Sequence, residues 1–160
     1  MAIEKVRAYL AAYGLDHKII ELDVSSATVA LAAEALGVPG ARIAKSLSFK
    51  KGEGCFLVVA AGDARIDNAK FKRRFGIKAA MPHGEDVERL VGHAAGGVCP
   101  FGINEGVAVY ADVSLKRFET VYPACGSSNS VIEMTPDQLF ECAGAVEWVD
   151  VCKSWQENVK

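Results

Sequence analysis

One lysine stands where a strand should bury apolar side chains. In the segment 44–50, strand alternation places Lys45 on the same face as Leu47 and Phe49. An ammonium group on an apolar face is costly unless it reaches solvent or meets an anion. Lys45 is therefore either a strand-end lysine that reaches solvent or a cation directed into a pocket. In a pocket it would hold a phosphate or a carboxylate as a compact point charge.

A second candidate for chemistry is a loop rich in glycine and proline. Residues 96–102 read GGVCPFG and contain Gly96, Gly97, Pro100 and Gly102. This composition specifies unusual backbone dihedrals and exposes backbone N–H groups. Such amides can approach an oxyanion or an attacking water. The same composition is also typical of a plain surface connection, so the loop alone leaves both interpretations open.

A third candidate is a run of small polar residues at 124–130. The hydroxyls of Ser127 and Ser128 and the amide of Asn129 could orient a substrate amine or a ribose. They could equally form an ordinary turn through local hydrogen bonds from side chain to backbone.

Other catalytic constellations have little support. His17, His83 and His93 are scattered without metal-ligand spacing, so no metal site and no cofactor are predicted. A Cys99 nucleophile with His93 as its base would make a thiol hydrolase, but nothing in the sequence places the two at bonding distance. The GxGxxG, P-loop and GxSxG motifs are absent, which argues against dinucleotide binding, NTP hydrolysis and the α/β-hydrolase mechanism.

Length and charge restrict the function classes. A chain of 160 residues, 51% hydrophobic, suits one domain over residues 1–160, with a polar tail at about 153–160. The formal net charge of −2 argues against a strongly basic nucleic-acid binder. The charge is uneven, however: residues 65–78 hold six basic side chains and one acidic side chain, whereas residues 133–152 hold five acidic ones and no Lys or Arg.

Cysteine content and hydropathy predict a cytoplasmic protein that does not enter a membrane. The five cysteines are odd in number and lack CxxC spacing, as expected of free thiols in a reducing compartment. Glu4, Lys5 and Arg7 stand where an export signal would need an apolar run. The longest apolar stretch, residues 55–61, is far shorter than a bilayer span.

The elements that must position these residues predict a mixed α/β fold. Residues 44–50 and 55–61 read as two strands joined by a turn, and helical segments are interspersed irregularly among strands. Helix starts are predicted at Ser25 or Ser26, at Asp67 and at Thr135, which has Gln138 three residues on.

Taken in order, these segments resemble the YbaK/EbsC/ProX family of aminoacyl-tRNA deacylases, relatives of the editing domain inserted in bacterial prolyl-tRNA synthetase. The resemblance covers roughly residues 3–150. It implies a single-domain YbaK-like fold, in which a twisted mixed, largely antiparallel sheet is flanked by helices. The segments that carry it are residues 27–38, 42–47, 56–63, 96–102, 112–115 and 124–127.

The resemblance also implies an activity: metal-independent hydrolysis of the ester that joins a wrong amino acid to tRNA, mostly by a free-standing trans-editing factor. In the family the strand lysine holds the terminal adenosine end of the substrate, and that position is Lys45 here. The loop residues Gly96, Gly97, Pro100 and Gly102 would supply backbone groups around the ester and the water. No protein side chain of the family is established as the general base, so the resemblance leaves a hydroxyl of the terminal ribose as the candidate group for taking the proton from water.

Further expectations concern the substrate. Asp112, within the matching segment 112–115, is expected to bind substrate together with Ser127, Ser128 and Asn129. Some members carry a histidine before the second helix, which this sequence lacks. Serine, alanine, cysteine and 2-aminobutyrate therefore remain open as the amino acid, with tRNA(Pro) as the expected carrier. The alternative function is a non-catalytic module of the same fold that binds aminoacyl-tRNA or a nucleotide.

The expected partners follow from the same resemblance. The basic segment 65–78 is predicted to meet the tRNA backbone through Lys70, Lys72, Arg73 and Arg74, with transient, salt-sensitive affinity. An aminoacyl-tRNA synthetase is a further candidate partner, and no membrane is expected.

Overall fold

Residues 2–156, the part of the chain that the computed structural model describes, contain five α-helices and nine strands. The helices are α1 (Ala2–Ala11), α2 (Val29–Leu36), α3 (Asn68–Phe75), α4 (Gly84–Val91) and α5 (Pro136–Cys142). The strands are β1 (Ile20–Glu21), β2 (Ile43–Lys51), β3 (Gly54–Ala61), β4 (Arg65–Ile66), β5 (Ala108–Asp112), β6 (Tyr122–Pro123), β7 (Ser130–Val131), β8 (Trp148–Val149) and β9 (Cys152–Lys153).

Five of these strands form a central sheet in the order β6-β2-β3-β5-β8. The hairpin β2–β3 is antiparallel and sets Lys45 opposite Ala60. The pairings β2–β6, β3–β5 and β5–β8 are parallel. The predicted mixed sheet is confirmed. Besides the hairpin, antiparallel pairing occurs in two small sheets, β1–β7 and β4–β9, and in two isolated bridges. The long connections into β5, β6 and β8 make room for the crossovers that parallel pairing requires.

Strand β3 forms the middle of the core, since residues 55–61 are all buried. Such a continuous apolar run is typical of a strand covered on both faces. On one side a cluster of rings packs together, with centroids 4.7 Å apart for Phe49 and Phe71 and 4.8 Å apart for Phe56 and Phe75. The end of β2 that carries Lys45 therefore pairs with the buried residue Ala60 of this core strand.

Helix boundaries follow local chemistry. The Asp67 side chain accepts hydrogen bonds from the backbone N–H groups at the start of α3, and Thr135 and Gln138 form the predicted capping box of α5. The predicted cap of α2 is wrong. The N-cap is Thr28, whose hydroxyl oxygen accepts a hydrogen bond from the Leu31 amide. The hydroxyls of Ser25 and Ser26 instead donate to the carbonyl of Ser128, which lies in a loop distant in sequence.

The predicted polar tail begins inside the fold. Lys153 pairs with Arg65 between β9 and β4, and Trp155 packs against the core. Residues 157–160 lie outside the described residues. Between residues 2 and 156, no helix combines the length and apolarity needed to cross a bilayer.

Candidate functional site

A cavity of about 260 Å³ opens where β2 and β6 meet the start of α2. Lys45 and Gly96, which are far apart in the sequence, line this same cavity. Ser46 and Tyr122 contribute further polar atoms. Small or medium apolar side chains form the remaining wall: Ala27, Val29, Ile43, Ala44, Leu47, Ala95, Val98, Ala124 and Val131. The cavity can therefore enclose a small group beside one cation.

The Lys45 ammonium is held by backbone carbonyls. Its Nζ donates to the carbonyl oxygen of Gly62 at 3.4 Å and to that of Ala64. Burial lowers the pKa of Lys45. An ammonium has three N–H donors, so these two carbonyls leave one donor for a ligand. The simple alternative of a strand-end lysine extended into solvent does not describe this side chain.

The turn that supplies those carbonyls is fixed from two sides. A Cβ atom at Gly62 would lie 2.0 Å from the carbonyl oxygen of Gly40, so only glycine fits there. Next to it, Asp63 forms a two-pronged ion pair with Arg117, with Nη1–Oδ2 at 2.9 Å. The Arg117 guanidinium also lies 5.0 Å from the centroid of the Trp155 ring. Lys45 is thus positioned by a turn that itself has little freedom to move.

Of the glycine-rich loop 96–102, only the first half contributes lining residues to the cavity, namely Gly96 and Val98. A Cβ atom at Gly97 would lie 2.8 Å from the carbonyl carbon of Gly126 and from the amide nitrogen of Ser127. At Gly96 the nearest atoms to such a Cβ would be the Cβ of Ser128 at 3.7 Å and that of Ala27 at 3.8 Å, which is ordinary contact. Gly97 therefore lets two loops touch backbone to backbone, and Gly96 lies beside them at the cavity wall.

Pro100 and Gly102 lie elsewhere. Pro100 is buried. Gly102 adopts a φ of +62°, and a Cβ atom there would lie 3.5 Å from Cγ of Lys5 in α1. Neither residue lines the cavity, and the prediction that they supply backbone groups around the ester stays a prediction. Gly102 turns the chain beside α1.

The polar run 124–130 mainly bonds to protein. Ser127 Oγ lies 3.0 Å from Oδ1 of Asn129 and 2.6 Å from Oγ of Ser130. Asn129 donates from Nδ2 to the carbonyl of Leu22 at 3.0 Å. The Ser128 side chain is exposed next to Gly96. Of the three predicted substrate contacts, Ser128 is the one whose side chain is not bonded to a protein group in the described structure.

Asp112 is a structural residue. Its side chain is fully buried; Oδ2 accepts from the amide of Ser114 and Oδ1 from the amide of Val151, both at 3.0 Å. The carboxylate therefore joins the end of β5 to the segment after β8. Asp112 is not one of the residues that line the cavity, and both of its oxygens accept from backbone amides. That Asp112 binds substrate stays a prediction.

His93 and Cys99 do lie at bonding distance, with Nε2 and Sγ 3.5 Å apart, but both are fully buried. Nε2 lies 2.6 Å from the carbonyl oxygen of Phe101, which it contacts as a donor in the neutral ring. Burial raises the pKa of the Cys99 thiol to about 12 and lowers that of His93. A protonated, enclosed thiol is a poor nucleophile.

No group of three or more His, Cys, Asp or Glu side chains in residues 2–156 is arranged to hold a metal ion.

Substituting Cys99 by alanine is expected to leave ester hydrolysis unchanged within about twofold, since the thiolate population of a buried thiol is negligible. The measurement is kcat/KM for wild type and Cys99→Ala on the same aminoacyl-tRNA. A loss of tenfold or more in a variant that melts within a few degrees of wild type would restore the thiol mechanism.

The basic helix α3 divides into paired and unpaired charges. Lys70 lies 3.0 Å from Oδ1 of Asp150, and Arg74 pairs with Glu147. Lys72 and Arg73 are exposed and form no ion pair within residues 2–156. Of the four predicted tRNA contacts, Lys72 and Arg73 thus have their full charge available, whereas Lys70 and Arg74 are partly neutralised.

Sequence reasoning missed Tyr122, which lines the cavity. A signal was present: Pro123 follows it, and a proline within a strand marks a sheet edge, where a side chain can border a cleft.

Comparison with known proteins places this geometry in a family. A family model described as an aminoacyl-tRNA editing domain matches residues 24–142, most of the chain and all of the cavity wall. The chain belongs to the aminoacyl-tRNA editing family. This confirms the resemblance that the sequence segments indicated.

Individual relatives support the same family assignment. YwhH of Bacillus subtilis (strain 168), an uncharacterized protein, is 50% identical over 157 residues, 98% of this chain and 100% of YwhH. The proline–tRNA ligase of Thermotoga sp. (strain RQ2) is 33% identical over 95 residues, 57% of this chain and 16% of the ligase. A crystal structure of a candidate trans-editing enzyme for prolyl-tRNA synthetase superposes with a TM-score of 0.85 at 32% identity, covering 95% of this chain and 97% of that one. The YbaK-like fold is thereby confirmed.

Proposed function

We propose that this editing domain is a trans-editing aminoacyl-tRNA deacylase that hydrolyses the ester of a small mischarged amino acid, carried by tRNA(Pro). The observation that carries the proposal is that Lys45 and Gly96 line one cavity whose remaining wall is mostly small or medium apolar side chains. Family membership and the likeness to the ligase region support it. The cytoplasm, where aminoacyl-tRNA is used, is the proposed location.

The proposed reaction uses positioning and backbone polarity. Lys45 holds the terminal nucleoside by its remaining N–H, and the ester carbonyl faces the glycine loop. The Gly97 amide is donated to the Ala94 carbonyl at 2.9 Å, so the amides of Gly96 and Val98 are the proposed donors to the carbonyl oxygen. Water oxygen attacks the carbonyl carbon, the bond to the ribose oxygen breaks, and that oxygen takes the proton released by water. The products are the free amino acid and tRNA with its terminal hydroxyl.

The aminoacyl ester is an activated bond, so a site with few polar groups can suffice to hydrolyse it. The carbonyl of an ester accepts water readily once water and carbonyl are aligned and the developing oxyanion is stabilised. We assign the proton transfer to the neighbouring hydroxyl of the terminal ribose, which accepts the proton from water and passes its own proton to the leaving ribose oxygen, because no carboxylate or imidazole lines the cavity among the described residues.

Cavity size supports a small amino acid. About 260 Å³ must hold the amino acid and part of the terminal nucleoside beside walls formed by Val29 and Leu47. Exclusion by bulk discriminates modestly per methylene, so serine, alanine, cysteine and 2-aminobutyrate all stay within the proposed range.

Among the described residues, no carboxylate or imidazole that could act as a general base lines the cavity, and this also favours a second function, a module that binds aminoacyl-tRNA without turnover. A panel of tRNAs mischarged with the four small amino acids separates the two. The proposed enzyme releases at least one amino acid faster than buffer does. Saturable binding with release at the buffer rate would establish the binding module instead.

We propose that α3 docks on the tRNA backbone through Lys72 and Arg73. Replacing both by glutamine is expected to raise KM about five- to tenfold with little change in kcat. It should also reduce the slope of log(kcat/KM) against log[salt] by about 1.5, because each phosphate contact contributes about 0.7 to 0.9. The exposed lysines Lys18 and Lys50 lie outside α3, and the double variant Lys18→Gln/Lys50→Gln is the matched control. An equal KM increase in both double variants would remove α3 as the docking surface.

A further inference from the structure

A second recess adjoins the cavity that contains Lys45. It has a volume of about 380 Å³ and is lined by Arg42, Phe118, Glu119, Thr120 and Glu133, which we call the Arg42 groove. Arg42 directly precedes the cavity residue Ile43, and its guanidinium lies 5.1 Å from the ring centroid of Tyr122, another cavity residue. The ring of Tyr122 is therefore the partition between groove and cavity. A chain-like ligand whose end occupies the cavity would have its next unit at the groove.

The groove contains a preorganised polar cluster. Oε2 of Glu133 accepts from Oγ1 of Thr120 at 2.5 Å and from Nη2 of Arg42 at 3.3 Å. Nε of Arg42 donates to the carbonyl of Thr120 at 3.1 Å, which fixes the plane of the guanidinium. The hydrogen bond from Thr120 lowers the pKa of Glu133, so the carboxylate is ionised at neutral pH. Its side chain is 47% exposed and therefore accessible to a ligand.

The charges of the groove select the kind of ligand. Two carboxylates, Glu119 and Glu133, face one guanidinium, so the groove is negative overall and disfavours a phosphate. A carboxylate beside a guanidinium instead matches a neutral planar group that presents an amine next to acceptor atoms. A cytosine has this edge: its exocyclic N4 amine donates to carboxylates, and O2 and N3 accept from a guanidinium. The Phe118 ring adds an apolar wall for the base.

We propose that the Arg42 groove binds the base of the cytidine that precedes the terminal adenosine of tRNA, with N4 donating to Glu133 and the acceptor edge facing Arg42. This assignment rests on the proposed function, because it places the terminal adenosine and its ester in the neighbouring cavity. It adds base recognition outside the cavity, so that a free amino acid ester or an aminoacyl-adenosine is a poor substrate compared with a tRNA end.

The test combines a change of the base that precedes the terminal adenosine with a substitution of Glu133. Two tRNAs that differ only in cytidine or uridine at this position are charged with the same small amino acid by an acylation ribozyme. Uracil presents an acceptor, O4, in place of the amine. Wild type is expected to prefer cytidine about tenfold in kcat/KM. Glu133→Gln is expected to bring the ratio close to one, since an amide can accept from N4 or donate to O4. Glu141→Gln, an exposed carboxylate on α5, is the control that keeps the tenfold preference.

The outcomes are distinct. A wild-type ratio within twofold of one, or a ratio unchanged by Glu133→Gln in a variant of normal melting temperature, overturns the groove assignment and leaves the deacylase proposal standing. If wild type hydrolyses neither charged tRNA faster than buffer, the proposed function fails and the groove assignment fails with it.

Discussion

Replacing Lys45 by alanine is expected to lower kcat/KM for a mischarged tRNA by at least about 100-fold, the cost of removing one preorganised polar contact from an enclosed site. Lys45 is the cation at the cavity wall, and the carbonyls of Gly62 and Ala64 already hold it in place. Because no carboxylate, imidazole or thiol is found among the described residues that line the site, little else could compensate for the lost contact. The measurement is single-turnover release of the amino acid.

A matched variant from the same strand controls for a general loss of stability. Lys50 is exposed and is not one of the residues that line the cavity, so Lys50→Ala is expected to hydrolyse like wild type. The pH profile adds a second readout. Burial lowers the pKa of Lys45, so the ammonium is lost as pH rises through a value below that of an ordinary lysine, and activity should decline there. Equal rates for Lys45→Ala and Lys50→Ala would contradict the role of Lys45.

Replacing Gly97 by alanine is expected to reduce activity at least tenfold and stability by about 2 kcal/mol, a typical cost of overpacking. The added Cβ would lie 2.8 Å from backbone atoms of Gly126 and Ser127, which cannot move aside as a side-chain tip could. The two loops must separate, which also displaces the Gly96 and Val98 amides from the cavity wall. Urea unfolding and single-turnover hydrolysis measure the two effects.

The neighbouring glycine provides the control. Gly96→Ala meets side-chain atoms at 3.7 and 3.8 Å, so the free energy of unfolding should change by less than about 0.5 kcal/mol. Its activity should fall less than that of Gly97→Ala. Equal destabilisation by the two substitutions would show that the close approach of the loops does not matter.

Local chemistry made several features predictable from the sequence. The hairpin around Lys45, the Asp67 cap and the capping box at Thr135 each depend on residues within a few positions of one another. The Lys45 anomaly was visible as well, because strand alternation alone places it among apolar neighbours. The family resemblance then joined Lys45 to the glycine loop, and the cavity brings Lys45 and Gly96 together.

The contacts that the sequence did not predict depend on partners that are distant along the chain. Asp112 looked like a substrate ligand, but the amide of Val151 occupies its carboxylate, 39 residues along the chain. Gly102 belonged to the right loop but faces Lys5 of α1. The importance of Arg42 appears only with Glu133, 91 residues away. Such pairings are decided by tertiary packing, on which the neighbouring sequence carries no information.

The most direct test of the central claim is the rate at which purified protein releases serine, alanine, cysteine or 2-aminobutyrate from mischarged tRNA(Pro). We expect at least one of the four amino acids to be released many times faster than in buffer, and correctly charged prolyl-tRNA(Pro) to be spared. Release of all four at the buffer rate, from a protein shown to be folded, would contradict it.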